Sequence, residues 1–244
     1  MPAATQQYQV KWSAEQLALL RADIAQMGGL AEQQLSRAIE AIGRRDTGLA
    51  ERLIKDDAQI DKLEIAVDAR AVRLLSAGRP SAPDLRQVLS ALKISSDLER
   101  VGDLAKNIAK RAMVLNQEEP LRTIQSLTRM GRLALNELKD ALDAYSRNDT
   151  DQALAVWRRD EALDELYNSL LRELLTFMMN DPRVIGLGTH LMFVAKNLER
   201  IGDHATNVAE TVYYLVNGDY LSDQRPKGDF SNLTTASGEV SEAK

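Results

Sequence analysis

Leu98-Glu99-Arg100-Val101-Gly102-Asp103 is written twice in this chain. It returns 100 residues later as Leu198-Glu199-Arg200-Ile201-Gly202-Asp203, with Val changed to Ile and nothing else altered. The echo continues outward through Ala105 and Ala205, Asn107 and Asn207, and Ala109 and Ala209. On a helix, Glu99 and Asp103 stand one turn apart, and a like-charged pair at that spacing costs roughly 0.2–0.5 kcal/mol unless something positive sits on it. The same cost at matching places in both halves points to a carboxylate site used twice.

The duplication runs the length of the chain. Met27-Gly28 returns as Met130-Gly131, Asp46-Thr47 as Asp149-Thr150, and Asp57 as Asp160, all 103 residues apart. The drop to 100 at the later motif makes the turn before it three residues shorter in the second half. Periodicity and punctuation predict six long helices: about 12–45, 47–78, 84–116, 120–147, 150–180 and 185–217. Asp46-Thr47 and Asp149-Thr150 supply N-caps, the Pro80 to Asp84 stretch separates the second helix from the third, and Gly218 caps the last C-terminus. A period near 100 with short turns means two three-helix units with antiparallel neighbours, not a solenoid of short repeats. The expected fold is therefore all-α, a tandem pair of three-helix bundles related by internal duplication. The bundles are placed at 10–117 and 118–218, followed by a polar tail at 219–244 that is expected to be disordered.

Composition agrees with helices and excludes several functions. Hydrophobic residues make up 44% of the 244 residues and aromatics only 5%, so the core must be aliphatic. A formal net charge of −5 argues against a general nucleic-acid role, which needs a basic footprint. The absence of cysteine removes disulfides, thiolate nucleophiles and zinc–thiolate sites together. With no apolar leader in residues 1–10 and no run near the ~20 apolar residues that span a bilayer, the expectation is a cytoplasmic protein.

The second and fifth helices carry acidic pairs of their own, Asp57 with Asp61 and Asp160 with Asp164. Folding helices two and three back on each other brings these to the duplicated motif. Asp61 and Glu99, and likewise Asp57 and Asp103, are placed symmetrically about Pro80. Asp164 and Glu199, and Asp160 and Asp203, are symmetric about the Asp181–Pro182 junction. Each half should thus stack four carboxylates in two rungs. Ile94, Leu98, Val101, Ala105, Ile108 and Ala112 form the apolar stripe of the third helix, and Glu99 and Asp103 fall on its far side. The cluster is accordingly expected to be open to solvent, with something approaching the backbone at Gly102 and Gly202.

Oxygen-only ligands suit hard metal ions, whereas the alternative is a solvated acidic face in which Glu99 and Asp103 pair with Arg100, Lys106 or Arg111. A ferritin-like di-iron centre would need Glu-x-x-His on two helices. Only His190 and His204 are present, and Leu104 stands where a first-half partner of His204 would be, so His204 is expected to be an ordinary surface residue. Trp12, Trp157 and the Phe177-Met178-Met179 run read as packing residues. No phosphate loop, nucleophile elbow or paired acid and base is evident.

The paired Leu-Glu-Arg-Val/Ile-Gly-Asp motifs, with Asp57-x-x-x-Asp61 and Asp160-x-x-x-Asp164 ahead of them, resemble the PhoU family. Met27-Gly28-Gly29-Leu30-Ala31-Glu32-Gln33-Gln34-Leu35 and the closing Tyr213-Tyr214 extend the likeness across roughly residues 10–220. The resemblance implies two similar three-helix bundles, often dimeric, holding iron, zinc, magnesium or manganese. The metal role would fall on Glu99, Asp103, Glu199 and Asp203, helped by Asp57, Asp61, Asp160 and Asp164. It further implies a non-enzymatic regulator of phosphate uptake that represses the phosphate-starvation response. The implied partners are the transporter's ATPase subunit and a membrane sensor histidine kinase. A metal-buffering protein and a metal-dependent hydrolase are the other readings of such clusters, although the hydrolase lacks an evident titrating base.

Overall fold

The computed structural model describes residues 3–221 except 57, 79 and 120–122, and gives side chains from residue 14 onward. Among these residues the chain forms α1 (Ala3–Gly43), α2 (Thr47–Asp56), α3 (Ala58–Ser76), α4 (Ala82–Leu115), α5 (Ile124–Arg147), α6 (Thr150–Asn180) and α7 (Ile185–Asn217), with no strand. A 3-10 turn over Pro182–Val184 leads into α7. The helix expected over 47–78 is thus described as two segments either side of residue 57. The start expected at Pro120, the tail beyond Leu221 and the side chain of Trp12 lie outside the described residues.

The local chemistry behind these boundaries is visible atom by atom. Asp46 Oδ1 accepts from the Leu49 amide at 2.8 Å, and Asp149 Oδ1 accepts from the Gln152 amide at 3.0 Å, so the duplicated Asp-Thr pairs cap α2 and α6. Ser81 caps α4 by accepting from the Asp84 amide, with proline in its first turn. At the far ends, Asn148 (φ 52°) and Gly218 (φ 86°) turn left-handed to close α5 and α7. The shorter second-half turn is also present, because α6 runs on to Asn180 and leaves only Asp181 before the 3-10 turn.

Each half is a three-helix bundle, and the two bundles share one core. α1, α4, α7 and α5 pack in a ring, with α2 and α3 outside against α1 and α4, and α6 outside against α5 and α7. A continuous apolar cluster joins Ile24 of α1, Leu98 of α4, Leu138 of α5, Leu174 of α6 and Val194 of α7. The contact between α1 and α5 repeats itself across an internal two-fold. A Cβ on Gly28 would stand 2.8 Å from Leu142 Cδ2, and one on Gly131 would stand 2.7 Å from Ile39 Cγ1. Gly131 and Leu142 are the duplicates of Gly28 and Ile39, so one pairing is used twice, as in an isologous dimer.

α4 and α7 cross the same axis antiparallel. Lys93 Nζ donates to Tyr220 Oη at 3.0 Å near one end, and Arg111 Nη1 donates to His190 Nδ1 at 3.2 Å towards the other. Trp157 is buried and donates its indole N–H to Glu210 Oε1 at 2.9 Å, as a packing residue with a satisfied polar edge. No helix among the described residues is long and apolar enough to cross a membrane.

Removal of an N-cap carboxylate typically costs about 0.5–2 kcal/mol. Asp149→Ala should therefore lower the thermal midpoint, at about 2–4 °C per kcal/mol for a domain of this size. Differential scanning calorimetry checks this, and an unchanged midpoint would show that the cap is not used.

Candidate functional site

The site is built where the outer helix of each half meets Gly102 or Gly202. A Cβ on Gly102 would lie 2.9 Å from Ile60 Cδ1 and 3.1 Å from Gln34 Oε1. A Cβ on Gly202 would overlap Leu163 Cδ2 and lie 3.0 Å from Asp160 Oδ1 and 3.2 Å from Glu137 Oε2. Leu163 and Glu137 are the duplicates of Ile60 and Gln34. What approaches these glycines is the protein's own α1, α3, α5 and α6 rather than a group from outside. The register follows: Ile60 and Gly102 are symmetric about Ser81, and Asp160 and Gly202 about Asp181, within one residue of the expected turn centres.

The expectation of an open cluster fails in the second half. Asp160 is 1% exposed, Asp164 3% and Glu199 4%, and Glu137 of α5 joins them at 5%. The reason is that α7 is buried on more than one side. It packs against α4, α5 and α6; Leu163 and Asp160 of α6 and Glu137 of α5 close on Gly202, leaving Glu199 buried and Asp203 part-buried. In the first half the expectation holds better: Asp61 is exposed, while the side chains of Glu99 and Asp103 keep 19% and 41% of their surface. Asp57 lies outside the described residues.

Counter-charges differ in the same way. Lys196 Nζ sits 2.8 Å from Glu199 Oε1 and 5.0 Å above the Tyr167 ring, and its first-half counterpart is Ser96. In the first half, Arg100 Nε and Lys106 Nζ reach Glu99 and Asp103 only to 3.6 Å. Arg111 does not join them; its guanidinium stacks 4.0 Å from the Phe193 ring centroid. Glu64 of α3 completes the first-half cluster, and its duplicate is Tyr167. Burial foremost, then the neighbouring Asp103, raises the Glu99 pKa, with Arg100 opposing and Glu64 adding to the rise. Burial, then Asp68 and Asp61, raises that of Glu64. Among the described residues no three His, Asp or Glu side chains stand together as a ready-made ligand set.

Glu64, Glu137 and Gln34 were not singled out from the sequence. A signal existed for Glu137, which falls on the apolar stripe of α5 between Ala134 and Leu138, where a carboxylate must be buried. His204 is corrected as well. It is part-buried on the α4–α7 seam, with Nδ1 2.8 Å from Asp97 Oδ1, and Asn207 Nδ2 donates to the same oxygen at 3.2 Å.

The family profile described as the PhoU domain matches this chain twice, over residues 24–112 and 127–212. The chain belongs to the PhoU family. It is 50% identical over 224 residues to the phosphate-specific transport system accessory protein PhoU homolog of Caulobacter vibrioides, covering 91% of this chain and 97% of that one. The homolog of Rhizobium meliloti is 44% identical over 219 residues, covering 89% and 92%. Among solved structures, PhoU from Pseudomonas aeruginosa superposes with a TM-score of 0.83 at 40% identity, over 84% of this chain and 99% of that one. The phosphate transport system regulatory protein PhoU from Streptococcus pneumoniae gives 0.80 at 30% identity, over 86% and 99%. Each matched range contains one copy of the Leu-Glu-Arg-Val/Ile-Gly-Asp motif, so the duplication of the family domain and the duplication of the motif coincide.

Two outcomes follow for this site. Overpacking at Gly202→Ala costs about 1–3 kcal/mol, because Leu163 is fully buried and has little room to yield. The gain in helix propensity returns only about 1 kcal/mol, so Gly202→Ala should destabilise and Gly102→Ala should do so less. Chemical denaturation of both variants measures the difference. For pH, the folded chain holds the Glu64 proton longer than the unfolded chain does. That stability is present below the ordinary value of 4.5 and is lost as pH rises through the raised folded value. Glu64→Gln should therefore lose less stability than the parent on that rise, as melting from acid to neutral pH would show; superimposable profiles would contradict the shift.

Proposed function

We propose that this chain is a cytoplasmic, non-enzymatic accessory protein of a phosphate-specific transport system. In this reading it represses the phosphate-starvation response by contacting the transporter's ATPase subunit and a sensor histidine kinase. The observation that carries the reading is family membership over nearly the whole chain, with the duplicated carboxylate motif intact in both halves. The surface chemistry supports adaptor work, since the first-half cluster is a half-open acidic face edged by Arg100 and Lys106.

Metal binding belongs to the same proposal. The donor chemistry fits a hard cation, because the ligands are oxygen-only, and burial foremost and then the neighbouring acids oppose ionisation of Glu99 and Glu64. Glu99, Asp103 and Asp61, with Asp57, would hold an ion in the first half, and Asp160, Asp164, Glu199 and Asp203 in the second. Iron, zinc, magnesium or manganese would supply a fixed positive centre on an otherwise acidic surface.

The test has two arms. A strain lacking the chain should express a phosphate-starvation reporter in phosphate-rich medium, and the tagged chain should co-purify with the ATPase subunit and the kinase. Normal repression without association would overturn the adaptor reading. Metal analysis of protein prepared without chelator or affinity tag should find stoichiometric ion that is lost in Asp103→Ala, Asp203→Ala. Equal metal in parent and variant would overturn the site assignment.

A further inference from the structure

The two clusters differ in what supplies the positive charge. In the second half Lys196 of α7 sets its Nζ 2.8 Å from Glu199 Oε1 and 5.0 Å from the centroid of the Tyr167 ring on α6. The carboxylate it meets is 4% exposed, whereas 38% of the lysine side chain stays in solvent. The ammonium is a compact point charge, held by a buried oxygen and an aromatic face together. The internal duplication provides a control. Ser96 stands where Lys196 does, and Glu64 where Tyr167 does. The ammonium and its ring lie on different helices, yet both are missing from the first half. That half has cations of its own, and they stand further off. Arg100 Nε is 3.6 Å from Glu99 Oε2 with its side chain 59% exposed, and Lys106 Nζ is 3.6 Å from Asp103 Oδ1. The duplicate of Lys106 is the buried Thr206, and that of Arg100 is the exposed Arg200.

Around Lys196 the demand for positive charge is high. Glu137, Asp160, Asp164 and Glu199 are buried and Asp203 is part-buried, and Asp160 and Glu137 both close on Gly202. Carboxylates taken out of water are costly unless a cation or a hydrogen-bond donor meets them. We propose that Lys196 is a built-in counter-ion that occupies the second cluster with a charge the chain itself supplies. The first cluster then takes ions from solution, and the second takes one only after Lys196 has swung out. The solvent-facing part of the side chain gives the ammonium its way out. Discrimination between two sites built on one motif thus lies in Lys196 and Tyr167, which are outside the motif. This rests on the metal reading above and orders it, since the two clusters fill unequally.

The probe is Mn²⁺ alone, added to the chelator-stripped full chain and counted as free and bound ion by electron paramagnetic resonance. The parent should hold one tight ion, lost in Asp103→Ala, and a second at least about tenfold weaker, lost in Asp203→Ala. Lys196→Ser should bring the second close to the first. In chelator the same variant should melt below the parent, and Mn²⁺ should raise its midpoint more than the parent's. A transplant covers the case in which Lys196→Ser does not fold. Ser96→Lys in a Glu64→Tyr background should weaken the tight ion by about tenfold relative to Glu64→Tyr alone. Residue 96 is exposed, so that lysine displaces no core. Three results overturn the proposal and leave the metal reading standing: two ions of equal affinity in the parent, a second ion that Lys196→Ser leaves weak, or a transplant without effect. If the parent binds no Mn²⁺ while Lys196→Ser binds one that a further Asp203→Ala removes, the counter-ion stands and the first-half assignment fails. No Mn²⁺ on any of these chains overturns both.

Discussion

The missing side chains at Gly102 and Gly202 set the geometry of everything around them. At each, a large aliphatic from the outer helix, Ile60 or Leu163, fills the space that a Cβ would take, and a polar side chain from α1 or α5 closes from the other side. That contact fixes how far α3 and α6 slide along α4 and α7. It thereby carries Glu99, Asp103, Glu199 and Asp203 to the helix boundary where the other acids stand. A mid-helix glycine costs about 1 kcal/mol relative to alanine, and here the cost is offset by packing that no larger residue permits. The acidic site is thus a consequence of core packing before it is anything chemical.

The two halves repeat the backbone and not the charge. Gln34 becomes Glu137, Glu64 becomes Tyr167, and Ser96 becomes Lys196. Buried ions are costly unless paired and hydrogen-bonded, and the second half sets Lys196 on Glu199 and over the Tyr167 ring. The first half has Ser96 where Lys196 stands and stays half-open, with burial first and the neighbouring acids after it raising the pKa values of Glu99 and Glu64. A cation entering from solvent therefore meets looser ion pairs in the first cluster, whereas in the second it would compete with an ammonium seated 2.8 Å from Glu199.

The helix plan, the caps at Asp46, Asp149 and Gly218, and the register between helices were legible because each depends on spacing along the chain. Exposure was not. Reading Glu99 and Glu199 as solvent-facing assumed that a helix with one apolar stripe meets one neighbour, but α4 and α7 sit between an outer helix, an inner helix and each other. The polar flank of such a helix is covered whenever its neighbour is close, and only the tertiary arrangement says how close. His204 was misplaced for the same reason, since its partner Asp97 belongs to the other half and no local pattern joins them. Glu137 could have been found, as a carboxylate on an apolar stripe announces burial.

The half-open cluster and the outer edge of α3 share one set of charges. Glu64 lies on α3, feels Asp61 and Asp68 on its own helix, and faces Asp103 on α4. A cation held by the α4 acids would withdraw negative potential from the α3 edge, since charges within about 8–10 Å are not fully screened at physiological salt. Arg100 and Lys106 already stand in that field, 3.6 Å from Glu99 and Asp103, so an entering cation would have to displace them, and the strength of its hold would depend on how loosely those two side chains are kept.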